Sequence, residues 1–318
     1  MIIFSPNAQV RRSLVPDNFP NMRTEFCWAK CLGAEMWHLD DTHEVTGKAD
    51  VNFFILPKNT REYDTFPLAY KRANPQSKVG IIQEGPIDMW EDWALTDIDN
   101  YFSILKSVDF ICVHNQYDAT YIEGLLNPKK VFVFPTLYDE TVTPKPYPLE
   151  NRQRVIVNGN CSSWYGARYA VEVLLDLGIT DIVMTATGRR GEVEEEWCRQ
   201  KGIAILPWIQ WTSWMTVLNS FRLGINLMRT RAAGSFNMNC AVLGIPCIGF
   251  SDVDSQSLHR AYITSNKENY RQIRTTIKQM AQNDDIYKEF IPDPKLAKTM
   301  SITSNRPYFA HIVEEIKN

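Results

Sequence analysis

The sequence predicts an α/β protein made of two successive doubly wound halves. Three observations carry that reading. Short continuous runs of β-branched and aromatic residues alternate with helical periodicity almost throughout. The alternation breaks at one stretch, TLYDETVTPKPYPLENR (136–152), where Pro144, Pro146 and Pro148 remove backbone donors and stiffen the chain. Beyond it the alternation starts again, so each half reads as a set of βαβ units.

In the first half, residues 1–4 form a first strand. Pro20–Leu32 forms a helix with Met22, Phe26 and Ala29 on one face and Gly33 closing it. Strands are predicted at Ala34–His38, Asp50–Leu56 and Lys78–Gln83, then a helix over Asp97–Ser107. A strand at Val108–His114, a helix at Tyr117–Leu126 and a strand at Lys130–Pro135 complete this half. In the second half, strands are predicted at Arg154–Asn158, Asp181–Ala186, Ile203–Pro207, Arg222–Met228 and Pro246–Phe250. Helices are predicted at Tyr165–Leu177, Glu192–Lys201, Thr212–Phe221, Ser235–Leu243, Asn269–Gln282 and Tyr308–Lys317. The predicted division is a first domain over 1–140, a linker over 141–152, a second domain over 153–290 and a C-terminal segment over 291–318 that packs back on the first domain. Ligands of such sheets bind beyond the C-terminal ends of the strands, and a cleft between two such domains is the expected site.

With 318 residues and 44% hydrophobic content the chain has material for two cores. A net charge of −3 and a pI near 6.0 give no global positive field of the kind a nucleic-acid binder carries. The cysteines, Cys27, Cys31, Cys112, Cys161, Cys198, Cys240 and Cys247, are odd in number, contain no CxxC pair and lie mostly in apolar runs. They read as structural thiols in a reducing compartment. MIIFSPNAQVRR has the wrong order for a signal peptide and no apolar run approaches a membrane span, so a cytoplasmic protein is expected.

The segment RTRAAGSFNMNCAVLGIPCIGF (229–250) joins a strand end, a glycine loop, a helix, a Gly-x-Pro turn and another strand. Gly234 and Ser235 would open the helix with unpaired N–H groups, a natural anion site, with Arg229 and Arg231 beside it. A small-residue loop with solvated arginines fits the same letters. Arg168 falls in the first turn of a helix, and Arg189 and Arg190 follow a strand end. In LPWIQWTSW, Trp211 and Trp214 read as a buried stripe, whereas Trp208 lies just past a strand end.

In the first half, QEGPIDMWEDW (83–93) follows a central strand. Glu84 is the first carboxylate beyond the sheet and a candidate general base, with Asp88 and His114 as alternatives. Trp90 and Trp93 are candidates for an acceptor platform. The basic pairs Arg11-Arg12, Lys71-Arg72 and Lys129-Lys130 read as phosphate contacts or as solvated surface.

The 229–250 segment resembles the nucleotide-sugar-binding segment of glycosyltransferases of the GT-B fold. The likeness includes Gly234 on the loop and Gly244-Ile245-Pro246 on the turn. VDFICVHNQYDATYI, KKVFVFPTLYDE and VIVNGNCSSWYGARYAVEVLLDLG are similar to further parts of that family. The resemblance implies two Rossmann-like domains facing each other across a cleft and a nucleotide-sugar donor, UDP-sugar favoured, on the second domain. Arg168, Arg189, Arg231 and the Gly234–Ser235 helix start would hold the diphosphate, Asn239 the ribose, and Trp208 and Ile209 the nucleobase. Two glutamates common in retaining members fall on Arg231 and Asn239, so this chain departs from that pattern. More loosely, the chain resembles bacteriophage DNA β-glucosyltransferases, which carry an aspartate base where Glu84 stands. Asn158-Gly159, Arg168 and VEVLLDLG echo the opening of their nucleotide domain. That likeness implies a hydroxymethylated pyrimidine in double-stranded DNA as acceptor. A polysaccharide, lipid or protein acceptor is the alternative, and a non-catalytic two-domain small-molecule binder is another. The sequence has no Asp-x-Asp and no metal-ligand cluster, so no metal is expected.

Overall fold

Every residue of Val51–Leu56 is buried, as a parallel strand covered by helices on both faces requires. The computed structural model describes residues 1–318 except 7–8, 45–48, 58–59, 127–129, 163, 186–190, 260–263 and 266–268; at 264–265 it describes the backbone alone. The chain divides into two units, Met1–Leu137 with Ile302–Asn318, and Tyr138–Ser301.

The first unit contains β1 (Ile2–Ser5), β2 (Ser13–Leu14), α1 (Thr24–Leu32), β3 (Glu35–His38), β4 (Val51–Leu56), α2 (Phe66–Ala73), β5 (Lys78–Gln83), α3 (Leu95–Ser107), β6 (Phe110–Val113), α4 (Gln116–Leu125) and β7 (Lys130–Val133). The strands lie in the order β2-β3-β1-β4-β5-β6-β7. All neighbours are parallel except β2 on β3. The order reverses between β1 and β4. The helix predicted from Pro20 begins at Thr24, because Arg23 before it is extended (φ −64°, ψ 163°). Helix α2 was not predicted: it is eight residues long and carries a proline in its first turn.

The second unit contains β8 (Gln153–Val157), α5 (Ala167–Asp176), β9 (Ile182–Met184), α6 (Glu192–Gln200), β10 (Ala204–Ile205), α7 (Trp211–Leu218), β11 (Phe221–Asn226), α8 (Ser235–Val242), β12 (Cys247–Phe250), β13 (Thr264–Ser265), α9 (Tyr270–Gln282), α10 (Asp284–Glu289) and α11 (Pro294–Lys298). Its sheet is parallel in the order β10-β9-β8-β11-β12-β13, reversing between β8 and β11. Helix α7 stops at Leu218 and Phe221 already belongs to β11, where sequence periodicity carried the helix through Phe221. The proline-rich stretch is fastened to this unit. The buried Asn219 donates from Nδ2 to the Lys145 carbonyl at 2.7 Å and accepts the Tyr147 N–H at 2.8 Å.

Helix α12 (Ile302–Lys317) returns to the first unit. Phe309 packs on Phe134 with ring centroids 4.8 Å apart, and the Tyr308 hydroxyl donates to the Val133 carbonyl at 2.8 Å. The helix begins six residues before the predicted Tyr308, with Pro307 inside it. A proline in sequence reads as a boundary; here Pro307 is inside the helix, which gives up one i→i−4 hydrogen bond there and continues, held by the packing of Tyr308 and Phe309. All seven cysteines are free thiols. Among the described residues no helix is long and apolar enough to cross a membrane.

Candidate functional site

In the second unit the strand order reverses between the paired strands β8 and β11, and a crevice beyond the C-terminal ends at such a reversal is where open α/β sheets bind ligands. The residues leaving those ends form one buried relay. Thr185 Oγ1 accepts the Gly159 N–H at 2.9 Å and donates to Asn158 Oδ1 at 3.1 Å. Asn158 Nδ2 donates to Asn226 Oδ1 at 3.1 Å, and Asn226 Nδ2 donates to Asn237 Oδ1. Asn237 Nδ2 donates to Gln256 Oε1, and Gln256 Nε2 ends the chain on the Cys247 carbonyl at 2.9 Å. Each amide gives and receives in one direction, so the relay locks the strand ends, α8 and the 254–258 turn together. Sequence reading missed it. Its asparagines stand one per strand end or helix turn, and no local spacing joins them.

His259 fixes the far side. It accepts the Cys247 N–H at Nδ1 (3.3 Å), and its Nε2 lies 2.9 Å from the Asn237 carbonyl. A ring that accepts at Nδ1 carries its proton on Nε2, so this is neutral imidazole. Burial pushes its pKa down to about 4, against the partial support of the Asn237 carbonyl.

Gly234 stands before α8 in the left-handed region (φ +79°). A Cβ there would lie 2.2 Å from Val253 Cγ1 and 2.3 Å from Ser255 Oγ. The glycine is therefore demanded by packing, and Ser255 Oγ donates to its carbonyl. The loop before it is pinned by the Asp254 N–H on the Ala232 carbonyl at 3.0 Å. At the other end of α8, Gly244 adopts φ +65° and Ile245 N–H returns to the Cys240 carbonyl at 2.8 Å, the left-handed helix stop expected of Gly-Ile-Pro. Asn239 points from α8 with its Oδ1 buried and lacking a hydrogen-bond donor. Arg231 is half-buried and Ser235 exposed.

Of the other residues predicted here, Trp208 is 61% exposed just past β10, with Ile209 half-buried beside it. Trp211 is buried, and Trp214 lies 6.2 Å from the Phe236 ring, as a core stripe would. Arg168 is exposed in the first turn of α5 with its guanidinium 5.9 Å from the Trp197 ring. Arg189 and Arg190 lie outside the described residues, as does Lys129.

In the first unit, Glu84 follows β5 directly and is half-buried, as is Asp88 in the 3-10 turn Ile87–Asp92. His114 stacks on Trp28 (centroids 5.0 Å apart, 17° between planes), with Nδ1 3.4 Å from the Phe134 carbonyl. The Trp90–Trp93 platform is corrected by packing. Trp90 is 7% exposed, hemmed edge-on by Tyr101, Phe102 and Tyr121, and is a core residue. One face of Trp93 is covered by the Arg61 guanidinium at 3.7 Å. In two of the basic pairs one member is ion-paired: Arg12 with Asp41 at 2.9 Å and with Glu44 at 2.6 Å, and Lys71 with Asp109 at 2.8 Å. This unit carries 15 Lys and Arg against 20 Asp and Glu, a net of −5; the second carries 19 against 17, a net of +2. Among the described residues no group of three or more His, Cys, Asp or Glu could hold a metal ion.

No family model and no curated protein matches this sequence. Solved structures do match. S. aureus TarM, in a complex with fondaparinux, α-GlcNAc-glycerol and UDP, superposes with a TM-score of 0.64 at 10% identity, over 92% of this chain and 59% of TarM. The pneumococcal O-GlcNAc transferase GtfA, with UDP and GlcNAc, gives 0.57 at 13% identity over 92% of this chain and 60% of its own. The E. coli trehalose-6-phosphate protein bound with UDP-2-fluoro glucose gives 0.61 at 12% identity over 88% and 76%. The chain thus spans about three-fifths of the length of TarM and of GtfA. At these identities the likeness is one of fold: the chain has the GT-B fold of these glycosyltransferases.

Proposed function

We propose that the chain transfers a sugar from a nucleoside-diphosphate donor, a UDP-sugar, to an acceptor hydroxyl. The observation that carries this reading is Asn239 Oδ1. It is a buried acceptor without a donor, on the helix that Gly234 opens, at the end of a sheet whose strand order reverses beside it. A ribose hydroxyl supplies the missing donor, and a neutral amide can take it without the charge of a glutamate. The diphosphate meets the first-turn N–H groups of α8 at Ser235, with Arg231 and Arg168 supplying charge as it develops on the leaving group. Trp208 offers its exposed face to the base and Ile209 its backbone.

For an inverting transfer, Glu84 takes the acceptor proton, with Asp88 the alternative; a retaining transfer needs no such base. His114 is the third candidate, although its ring is engaged by Trp28. UDP complexes of TarM and GtfA support the donor class. The net charge of −5 on the first unit speaks against duplex DNA as acceptor and for an uncharged one.

The test is a thermal-shift comparison of UDP, GDP, ADP and CDP, followed by assay of UDP-glucose and UDP-N-acetylglucosamine turnover with mixed saccharide acceptors. Selective stabilisation by UDP together with turnover is the expected result. UDP binding without turnover of any sugar would leave a small-molecule binder, and no nucleotide binding would remove the reading altogether.

A further inference from the structure

Arg229 leaves β11 with its position fixed and its charge uncompensated. Its N–H donates to the Trp164 carbonyl at 2.9 Å, so the segments that follow β8 and β11 are tied to each other at the strand-order reversal. The join is close: a Cβ on Gly166 would lie 2.8 Å from the Leu227 carbonyl oxygen. The Arg229 side chain is exposed, and its Nη2 donates to the Tyr270 hydroxyl, with the guanidinium carbon 5.7 Å from the centroid of that ring. Arg154, Arg199, Arg222 and Arg274 of the same unit each pair with a carboxylate. Among the described residues Arg229 pairs with none.

Tyr270 is itself held. It is the first residue of α9, whose start is capped by Asn269: Oδ1 accepts the Gln272 N–H at 3.1 Å. Ile273 and Ile277 anchor the same helix in the core. Tyr169 on α5 fixes Tyr270 twice. Its hydroxyl donates to the Tyr270 carbonyl at 2.9 Å, and the two rings meet edge to face with centroids 4.5 Å apart. The phenol therefore stands as a fixed, neutral acceptor. A carboxylate in its place would orient the guanidinium and cancel its charge. A phenol orients it and leaves the charge, and the rest of the donor fork, for an anion.

We infer that Arg229 binds the diphosphate of the donor and that Tyr270 is a positioning residue, which aims the guanidinium without neutralising it. Ligands of open α/β sheets lie beyond the strand ends at a reversal, and Arg229 is tied at that place. The segment it opens runs on to Gly234 and the start of α8. A guanidinium already held in one orientation loses less side-chain freedom on binding than a solvated one does. The planar fork also suits the paired oxygens of a phosphate. The inference rests on the glycosyl-transfer reading for the word donor, but anion binding at Arg229 does not depend on it.

The experiment is calorimetric titration of UDP and of inorganic pyrophosphate into the full chain, with uridine binding read by saturation-transfer NMR. Arg229→Gln removes the charge. Tyr270→Phe removes the hydroxyl and keeps the ring on Tyr169. The two are also combined. UDP affinity should fall about tenfold in Arg229→Gln and about threefold in Tyr270→Phe, the low end for hydrogen bonds to a charged and a neutral group, with uridine binding unchanged in both. The double variant should bind UDP within about twofold of Arg229→Gln alone, because Tyr270 acts through Arg229. If Arg229→Gln does not fold, Tyr270→Phe decides alone. Uridine binding weakened along with UDP, or two effects that add in the double variant, overturns the positioning role. UDP binding by Arg229→Gln equal to that of the parent overturns the site and leaves the donor reading standing. Pyrophosphate binding by the parent, weakened by the same variants, with no binding of UDP removes the donor reading and leaves the anion site standing. Binding of neither removes both.

Discussion

Arg152 donates from Nη2 to the Leu243 carbonyl at 2.7 Å and so closes α8 with a buried cation. The same guanidinium reaches the Gly244 carbonyl at 2.7 Å and, through Nε, the Tyr147 carbonyl at 3.0 Å. Three carbonyls thus take the place of a carboxylate partner. A positive charge at the C-terminal end of a helix interacts favourably with the helix dipole, and here it also ties the proline-rich stretch to the helix that begins at Gly234.

Arg152→Met should therefore leave three carbonyls, that of Leu243 buried, without the guanidinium donor. The expected loss is about 3 kcal/mol, since hydrogen bonds to charged groups contribute roughly 1.5–3 kcal/mol each and water replaces part of them. Urea unfolding followed by circular dichroism reads this, and an unchanged midpoint would contradict the capping role.

Gly234→Ala should destabilise the second unit and weaken UDP binding together. The added Cβ meets Val253 and Ser255 within 2.3 Å, and φ +79° strains any L-residue. A cost of about 2 kcal/mol is expected from strain and displacement. Calorimetric Tm and a UDP titration measured on one preparation check both parts.

Asn237 and Asn239 are two residues apart on α8 and should separate stability from binding. Asn237→Ala breaks two links of the relay and leaves Asn226 and Gln256 unmatched, at about 3 kcal/mol of stability. Asn239→Ala removes an acceptor the fold does not use, so stability should fall by about 1 kcal/mol or less. UDP affinity should fall five- to tenfold, roughly the worth of one hydrogen bond. Titrating UDP into each variant by calorimetry decides; an Asn239→Ala protein that binds UDP like the parent contradicts the ribose contact.

His259 sets an acid limit on the second unit. Its pKa falls from 6.5 to about 4 on folding, so the unfolded chain takes up the proton first. The stability held by neutral His259 is complete above pH 6.5 and drains away as pH falls from 6.5 toward 4, at up to about 1.4 kcal/mol per pH unit. His259→Gln should flatten that slope in urea midpoints measured from pH 4.5 to 7.5.

Asp64 has the opposite sign. Its pKa is raised from 3.8 to about 6 in the fold, so its contribution is complete below pH 3.8 and is lost as pH rises through 6. Asp64→Asn cannot ionise. It should gain stability relative to the parent between pH 4 and 7, by about 3 kcal/mol at most. Paired denaturation curves at pH 4 and pH 7.5 test this, and a constant difference between the two would exclude the linkage.

Residue patterns alone were enough to place β5 at Lys78–Gln83 and, from Asp50–Leu56, β4 to within one residue, because a strand buried on both faces must be written as a continuous apolar run. They also placed α8, which opens on Gly234 and stops at the Gly244 turn, because helix ends depend on neighbouring residues in the chain. Three things were decided only by tertiary structure. Trp90 became core because α3 and α4 close over it. Asn158, Asn226, Asn237 and Gln256 became one relay because parallel strands bring distant segments to the same edge. Arg61 became the cover of Trp93 because β4 and β5 are paired neighbours and bring the segments that follow them together. Local periodicity encodes which residues face inward. It does not encode which polar groups, tens of residues apart, end on neighbouring strands, and the candidate site is made of those groups.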